Sequence, residues 1–203
     1  MKRPRILMAD DHALVLEGLR KLLEHEFELV GAAEDGRTLL AKAERLRPDV
    51  ILLDVSMPLL NGIDAARRLR KLVPGSKLVF VTMHDDPTYA AEAFQAGASG
   101  YVVKRSAASV LIRAIRTVLR GRRYGAPAVP AARTAAPTGS LTARQREILQ
   151  LVAEGRAAKE IAGVLGLSVK TVEFHKARIA GRLGLHSTAR LTRYAIAHGL
   201  VAP

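Results

Sequence analysis

The 203-residue sequence contains no cysteine, which excludes a disulfide framework, thiolate catalysis and any zinc finger built with a cysteine ligand. It has no apolar run near the about eighteen residues of a membrane-spanning helix. The opening MKRPRILMAD holds only a four-residue apolar run before acids intervene, too short for a signal-peptide core. The expectation from these absences is a cytoplasmic chain with no membrane partner. No GxxxxGKS or GxxxxGKT occurs, so a nucleotide-binding P-loop is excluded. Acid is scarce in one half only: residues 1–120 carry 19 Lys+Arg against 15 Asp+Glu, and residues 121–203 carry 13 against 4, leaving +4 and +9. Such asymmetry is the electrostatic footprint of a nucleic-acid partner, although an acidic protein or a membrane surface would select it too. The length suits two ordinary domains.

The most informative stretch is PDVILLDVSMPLLNG, Pro48 to Gly62. Its apolar run Val50 to Leu53 reads as a strand buried on both faces of a parallel sheet, ending in Asp54. Ile6 to Ala9, Phe27 to Ala33, Leu78 to Val81 and Gly100 to Val103 are similar runs. Helical spacing separates them: Leu14, Leu16, Leu19, Leu22 and Leu23 after His12, then Leu39 to Leu46, Ile63 to Leu72, Tyr89 to Ala96 behind Pro87, and Ala107 to Arg120. Five strands alternating with five helices predict an α/β doubly wound, five-stranded parallel sheet. In such a sheet the carboxyl ends of all strands share one edge, where ligands bind. Asp10, Asp11, Asp54, Thr82 and Lys104 each stand at a strand end, so they are predicted to converge. Taken singly, Asp54 could cap its loop and Asp11 could be a helix N-cap.

Three carboxylates in one crevice repel unless a cation joins them, and an all-oxygen donor set suits Mg²⁺. Asp54 could then be both ligand and nucleophile, forming an acyl phosphate, with Lys104 and Thr82 meeting the phosphoryl oxygens. A phosphohydrolase of the haloacid-dehalogenase type would use the same nucleophile but needs an acid two residues later. That position is Ser56.

The acid pair Asp10-Asp11, LLDVSMPLLNG around Asp54, Thr82, and GYVVK ending at Lys104 together resemble the flavodoxin-like receiver domain of two-component response regulators. The resemblance implies phosphorylation of Asp54 by a sensor histidine kinase, and Mg²⁺ held by Asp10, Asp11, Asp54 and the Ser56 backbone carbonyl. It also implies that Thr82 and Lys104 read the phosphoryl group and that Tyr101 is the aromatic switch residue. Ser56 and His84 fall where the family tunes loss of the phosphoryl group.

Residues 1–120 are therefore expected to be the receiver, and 121–139, GRRYGAPAVPAARTAAPTG, a flexible linker. In residues 140–203, Leu141 reads as a hydrophobic staple and Thr142 with Gln145 as a capping box. Ala157 to Leu165, a turn at Gly166, and a helix from Val169 to Leu183 capped by Ser168 read as a helix-turn-helix. LTARQREILQLVAEG, KEIAGVLGLSVKTVEFHKARIAGRLG and AIAHGLV resemble a LuxR-type DNA-binding domain, and the two resemblances together are the layout of the NarL/FixJ transcription regulators. Arg156-Ala157-Ala158 departs from the small polar residues common before KEIA, and Glu173 and Ala177 occupy sites that are often basic.

Val172, Ile179 and Leu183 should face the core of this half, leaving Lys170, Thr171, Glu173, Phe174, Lys176 and Ala177 towards the groove of double-stranded DNA. Glu173 can accept from cytosine and Phe174 can meet a thymine methyl, unless Phe174 is core. Lys170, Lys176, Arg178 and Arg182 suit phosphates. His175 should pack or bond locally. Thr188 to His198 is a further helix whose Leu191, Tyr194 and Ala195 face is either core or a dimer surface. A homodimer formed on phosphorylation, or release of a covered recognition helix, would couple the halves.

Overall fold

The computed structural model describes residues 3–106, 108–126 and 141–201. The chain divides into two compact units, residues 1–132 and 133–203.

The first unit alternates strand and helix: β1 (Arg5–Ala9), α1 (Ala13–Leu23), β2 (Glu28–Ala33), α2 (Gly36–Leu46), β3 (Val50–Leu53), α3 (Gly62–Leu72), β4 (Lys77–Thr82), α4 (Pro87–Ala96), β5 (Gly100–Val103) and α5 (Ala108–Leu119). All pairings are parallel, in the order β2-β1-β3-β4-β5. Side chains alternate along a strand, so each strand feeds two cores. Leu7, Ile51, Leu53 and Phe80 join residues of α2, α3 and α4 on one face. Ile6, Met8, Leu52 and Val79 join α1 and α5 on the other. Covering both faces is why β3 reads as an unbroken apolar run; all four of its residues are buried.

Two local expectations for α1 need correction. Leu14 is 88% exposed, because the buried stripe runs through Leu16 and Leu23 and a position two residues before Leu16 lies about 200° round the helix. Asp11 is not the N-cap; His12 is, without a side-chain cap bond.

The segment read as linker is attached to the sheet at its start. Tyr124 bridges the outer edge of β5, its N–H donating to the Ser99 carbonyl at 3.0 Å and its carbonyl accepting from Tyr101 N–H at 2.9 Å. Gly125 follows at φ 68°, and a Cβ there would overlap the Tyr101 carbonyl oxygen. The composition pointed to a loop, but an unpaired sheet edge gives backbone groups a partner that composition does not reveal. The remainder of the expected linker, 127–139, lies outside the described residues.

The second unit is helical: α6 (Ala143–Ala153), α7 (Ala158–Leu165), α8 (Val169–Leu183) and α9 (Thr188–Ala197). The Thr142/Gln145 capping box is formed, and Leu141 is buried, but the position expected to pair with it apolarly is Arg146, which donates to the Leu141 carbonyl at 3.1 Å. Gly166 turns α7 into α8 in the left-handed region, and Ser168 caps α8 by accepting from Thr171 N–H. Val172 and Ile179 are buried as expected. So are Leu191 and Ala195, where α9 packs against α6, whereas Tyr194, the third residue of that face, is half-buried. Tyr194 stacks on His198 with centroids 3.9 Å apart.

At α7 the cap is half made. Glu160 accepts from Ala157 N–H at 2.8 Å, but alanine has no oxygen to return the bond. Ala157 is exposed in the extended conformation that a capping serine adopts. Ala157→Ser should therefore stabilise the helical unit by about 0.5–2 kcal/mol, read as a raised unfolding midpoint in denaturant. An unchanged midpoint would contradict this account of the cap.

Candidate functional site

The strand order sets Asp10, after β1, beside Asp54, after β3, with Thr82 ending the next strand and Lys104 following β5. The predicted convergence is met by direct side-chain contact for Asp10, Asp54 and Lys104, and Thr82 adjoins them through its carbonyl, which accepts from Lys104 N–H at 2.7 Å. Lys104 Nζ lies 2.6 Å from Asp10 Oδ2 and 2.7 Å from Asp54 Oδ2. Asp10, Asp54 and Thr82 are buried, whereas Asp11 and His12 open the crevice to solvent.

Local geometry fixes each group. Asp54 N–H donates to the Ala9 carbonyl at 3.0 Å, and Asp54 Oδ1 accepts from Val55 N–H at 2.6 Å, so part of the loop-capping role is real. Asn61 caps α3 through Asp64 N–H, and Gly62 donates to the Val55 carbonyl at 2.7 Å. A Cβ on Gly62 would overlap the Asp54 carbonyl oxygen, so only glycine lets α3 begin this close to the acid.

Burial raises the Asp10 pKa above its ordinary value, opposed by hydrogen bonds from Lys104 and the His12 N–H and assisted by the Asp54 charge. For Lys104, burial works against the ammonium, but its hydrogen bonds to Asp10 and Asp54 outweigh that and raise its pKa. The donor chemistry fits a hard divalent cation. Asp10, Asp11 and His12 offer ligand atoms all within 4.8 Å of one another, whereas Asp54, expected as a further ligand, is not in that group and is paired with Lys104. Sequence reading gave His12 only a place at the start of a helix, yet its Nδ1 lies 2.9 Å from Asp11 Oδ1 and 3.3 Å from Asp10 Oδ1. Its position directly after the acid pair was the available signal.

A chain of contacts leads away from the crevice. Thr82 Oγ1 accepts from His84 N–H at 3.4 Å, and the His84 carbonyl accepts from the Tyr101 hydroxyl at 2.8 Å. Tyr101 is buried against Phe80, and burial, then the Asp54 charge, pushes its phenol well above the ordinary range. Ser56 Oγ and His84 Nε2 are 3.0 Å apart. Beside the crevice, Arg67 joins Asp64 on α3 at 2.6 Å to Glu92 on α4 at 2.9 Å, a cross-link of which only the Asp64/Arg67 spacing was legible.

In the second unit, Lys170, Glu173, Phe174, Ala177, Arg178 and Arg182 are exposed on α8, with Thr171 and Lys176 half-buried. Phe174, 56% exposed, is not core. Its ring lies 5.6 Å from the Arg178 guanidinium carbon. Glu173 pairs with Lys176 at 3.0 Å, and Arg182 donates to Gln145 on α6 at 3.2 Å, an engagement the phosphate-binding expectation did not include. His175 packs, with its Nδ1 buried.

Residues 6–116 match the response regulator receiver domain, and residues 139–195 match the luxR family of bacterial regulatory proteins. The chain is 38% identical over 204 residues to the transcriptional regulatory protein MctR of Rhizobium johnstonii, covering 98% of this chain and 95% of that protein. Among solved structures, RcsB of Salmonella typhimurium is similar with a TM-score of 0.67 at 27% identity, over 98% of this chain and 99% of that one. An RcsB–DNA complex is similar with a TM-score of 0.59 at 28% identity, over 97% and 99%. The chain belongs to the response regulators that join a receiver domain to a LuxR-type DNA-binding domain and act in transcription.

Proposed function

We propose that Asp54 accepts a phosphoryl group from a sensor histidine kinase, and that the phosphorylated chain controls transcription as a homodimer on double-stranded DNA. The observation that carries this reading is the Lys104 ammonium lodged between Asp10 and Asp54, with an exposed Asp11 at the mouth. An Asp54 carboxylate oxygen attacks phosphorus, the bond from phosphorus to the kinase histidine nitrogen breaks, and an acyl phosphate forms on Asp54. Lys104 then meets the phosphoryl oxygens with a charge already in place. Asp10, Asp11, Asp54 and the Ser56 backbone carbonyl would hold Mg²⁺, which supplies neutralisation of the charge on the transferred group.

Thr82, buried at the end of β4, supplies a hydroxyl to the phosphoryl group in this reading. Drawing it in breaks its contact with His84 N–H and frees the backbone at His84 to move, and with it the carbonyl that holds the Tyr101 hydroxyl. Ser56 and His84 must part before either can flank a water at the acyl phosphate. The region beyond Ala126 joins this receiver, proposed for residues 1–120, to a DNA-binding half at 140–203.

On α8, Lys170, Thr171, Phe174 and Ala177 face the groove in this reading, and Glu173 reads a base while Lys176, Arg178 and Arg182 serve phosphates. The RcsB–DNA complex supports DNA as the partner by likeness over 97% of this chain.

Acetyl phosphate in Mg²⁺ should label the wild-type chain and not Asp54→Asn; label retained in the variant would remove the central claim. Under the dimer reading, the isolated fragment 140–203 binds DNA more weakly than the phosphorylated chain, and equal affinity would favour a covered recognition helix instead.

Glu173→Ala removes a negative charge from the groove face and frees Lys176. It should strengthen binding to random duplex while relaxing preference at one base pair by roughly 1–3 kcal/mol, and Lys176→Ala should weaken all duplexes alike. Titrations at several salt concentrations check this, since each lost phosphate contact lowers the slope of log affinity against log salt by about 0.9.

The raised Asp10 pKa carries a sign. The folded state holds the proton more tightly than the unfolded one, so stability declines as pH rises from 3.8 through the raised value and stays lowered at neutral pH. In Mg²⁺-free buffer Asp10→Asn should therefore unfold later than the parent at neutral pH, with the advantage shrinking below pH 3.8. An advantage confined to acid would invert the assignment.

A further inference from the structure

At the opposite edge of the receiver sheet, where β4 and β5 begin, lies a cavity of about 340 Å³ whose walls carry Arg70, Lys77, Arg122 and Arg123 and no acid. Among the described residues none of these four side chains forms an ion pair or donates a hydrogen bond. Arg123 instead lies over the Phe94 ring, its guanidinium carbon 5.8 Å from the centroid. Elsewhere in this unit arginines are mostly engaged: Arg67 with two acids, Arg116 with Glu26, Arg5 with Glu28.

A plainer account is that these cations complement helix dipoles, because α3, α4 and α5 all end near here. Capping arginines in this fold look different. Arg5 donates to the Leu46 carbonyl at the end of α2 at 2.6 Å, and Arg47 to the Leu72 carbonyl at the end of α3 at 3.2 Å. None of the four makes such a bond, and the carbonyl of Leu72 is already served from outside the cavity. Arg70, Arg122 and Arg123 are exposed and Lys77 is half-buried, so four cations stand open to solvent around one acid-free space, where an anion of several charges can meet them together.

We propose that this cavity binds a small anion bearing more than one phosphate. Guanidinium groups match phosphate oxygens two at a time, and the volume is that of a nucleotide-sized pocket. The Phe94 and Arg123 pair offers a flat surface for a base, while the arginines and Lys77 take the phosphates. The inorganic diphosphate and the nucleoside diphosphate share the recognised chemistry. The site is separate from the Asp54 crevice and does not depend on its function. It does include Arg122 and Arg123, immediately before the Tyr124 attachment to β5, so its occupant would also pin the junction.

The test titrates inorganic pyrophosphate and, separately, ADP into the full chain carrying Asp54→Asn in Mg²⁺-free buffer, with sulfate as reference. One site per chain is expected, above sulfate, weakened by about tenfold or more in Arg122→Ser/Arg123→Ser and again in Lys77→Ser, and unchanged in Lys170→Ser/Lys176→Ser. Tighter ADP marks the nucleotide as the source, and equal binding marks the diphosphate; both support the site. In chains that retain Asp54, labelling by acetyl phosphate should persist in the cavity variants and shows that they fold. Binding no stronger than sulfate, or untouched by both cavity variants, or lost only with the α8 lysines, overturns the proposal. So does a short DNA duplex that is weakened by the cavity variants while pyrophosphate is not, since the occupant would then be the DNA backbone.

Discussion

The receiver unit is arranged around a single ammonium group held between two buried carboxylates. The Lys104 ammonium bridges both acids, and its hydrogen bonds to them raise its own pKa while opposing the burial that raises that of Asp10. Meeting this condition demands much of the fold. β1 and β3 must be neighbours so that their terminal acids adjoin, β5 must lie near enough for Lys104 to reach across β4, and Gly62 must be small enough for α3 to start against the Asp54 carbonyl. A doubly wound sheet satisfies all of these at one edge. The cost of burying the acids is thus converted into a site where charge is already organised for an incoming anion.

What the sequence disclosed and what it withheld divide along physical lines. β3 and β5 were legible to the residue, because a strand covered on both faces must be apolar throughout and its end is marked by the first charge or turn. Caps at Ser168 and Thr142 were legible because few side chains satisfy the same backbone donors. Features fixed by distant partners were not. Leu14 has the right chemistry for a core stripe and the wrong angle. Glu92 meets Arg67 across 25 positions, and Tyr124 finds β5 from inside a stretch whose composition speaks only of turns. His12 stood in plain view, yet its closeness to both acids follows from the backbone bend after β1, where Asp10 accepts its N–H at 3.0 Å.

The same division holds on α8. Spacing placed Val172 and Ile179 in the core and Phe174 on the exposed side, but Leu183, expected on the buried stripe, is only half-buried near the end of the helix. Periodicity alone did not show how the exposed charges are shared out. Arg178 lies over Phe174, Glu173 holds Lys176, and Arg182 reaches Gln145, which itself closes the α6 capping box. Each basic group proposed for phosphate contact apart from Lys170 therefore has an intramolecular partner to leave or share, which tempers the electrostatic gain of binding and makes it depend on what the DNA offers in return.

Tyr101 is where the two ends of the receiver meet. Its hydroxyl is tied to the His84 carbonyl, which lies on the route from Thr82, and its N–H is tied to the Tyr124 carbonyl at the exit from the domain. A side chain released at one end need not move the backbone at the other, since the two bonds leave Tyr101 from different groups. Gly125 limits that independence, because its backbone packs against the Tyr101 carbonyl more closely than any residue with a Cβ would allow. Displacement of β5 at this position is therefore felt by residues 124 and 125 directly. The exit from the receiver is held by the strand that carries the proposed switch residue, and this gives phosphorylation a route to the junction that needs no rigid lever along the chain.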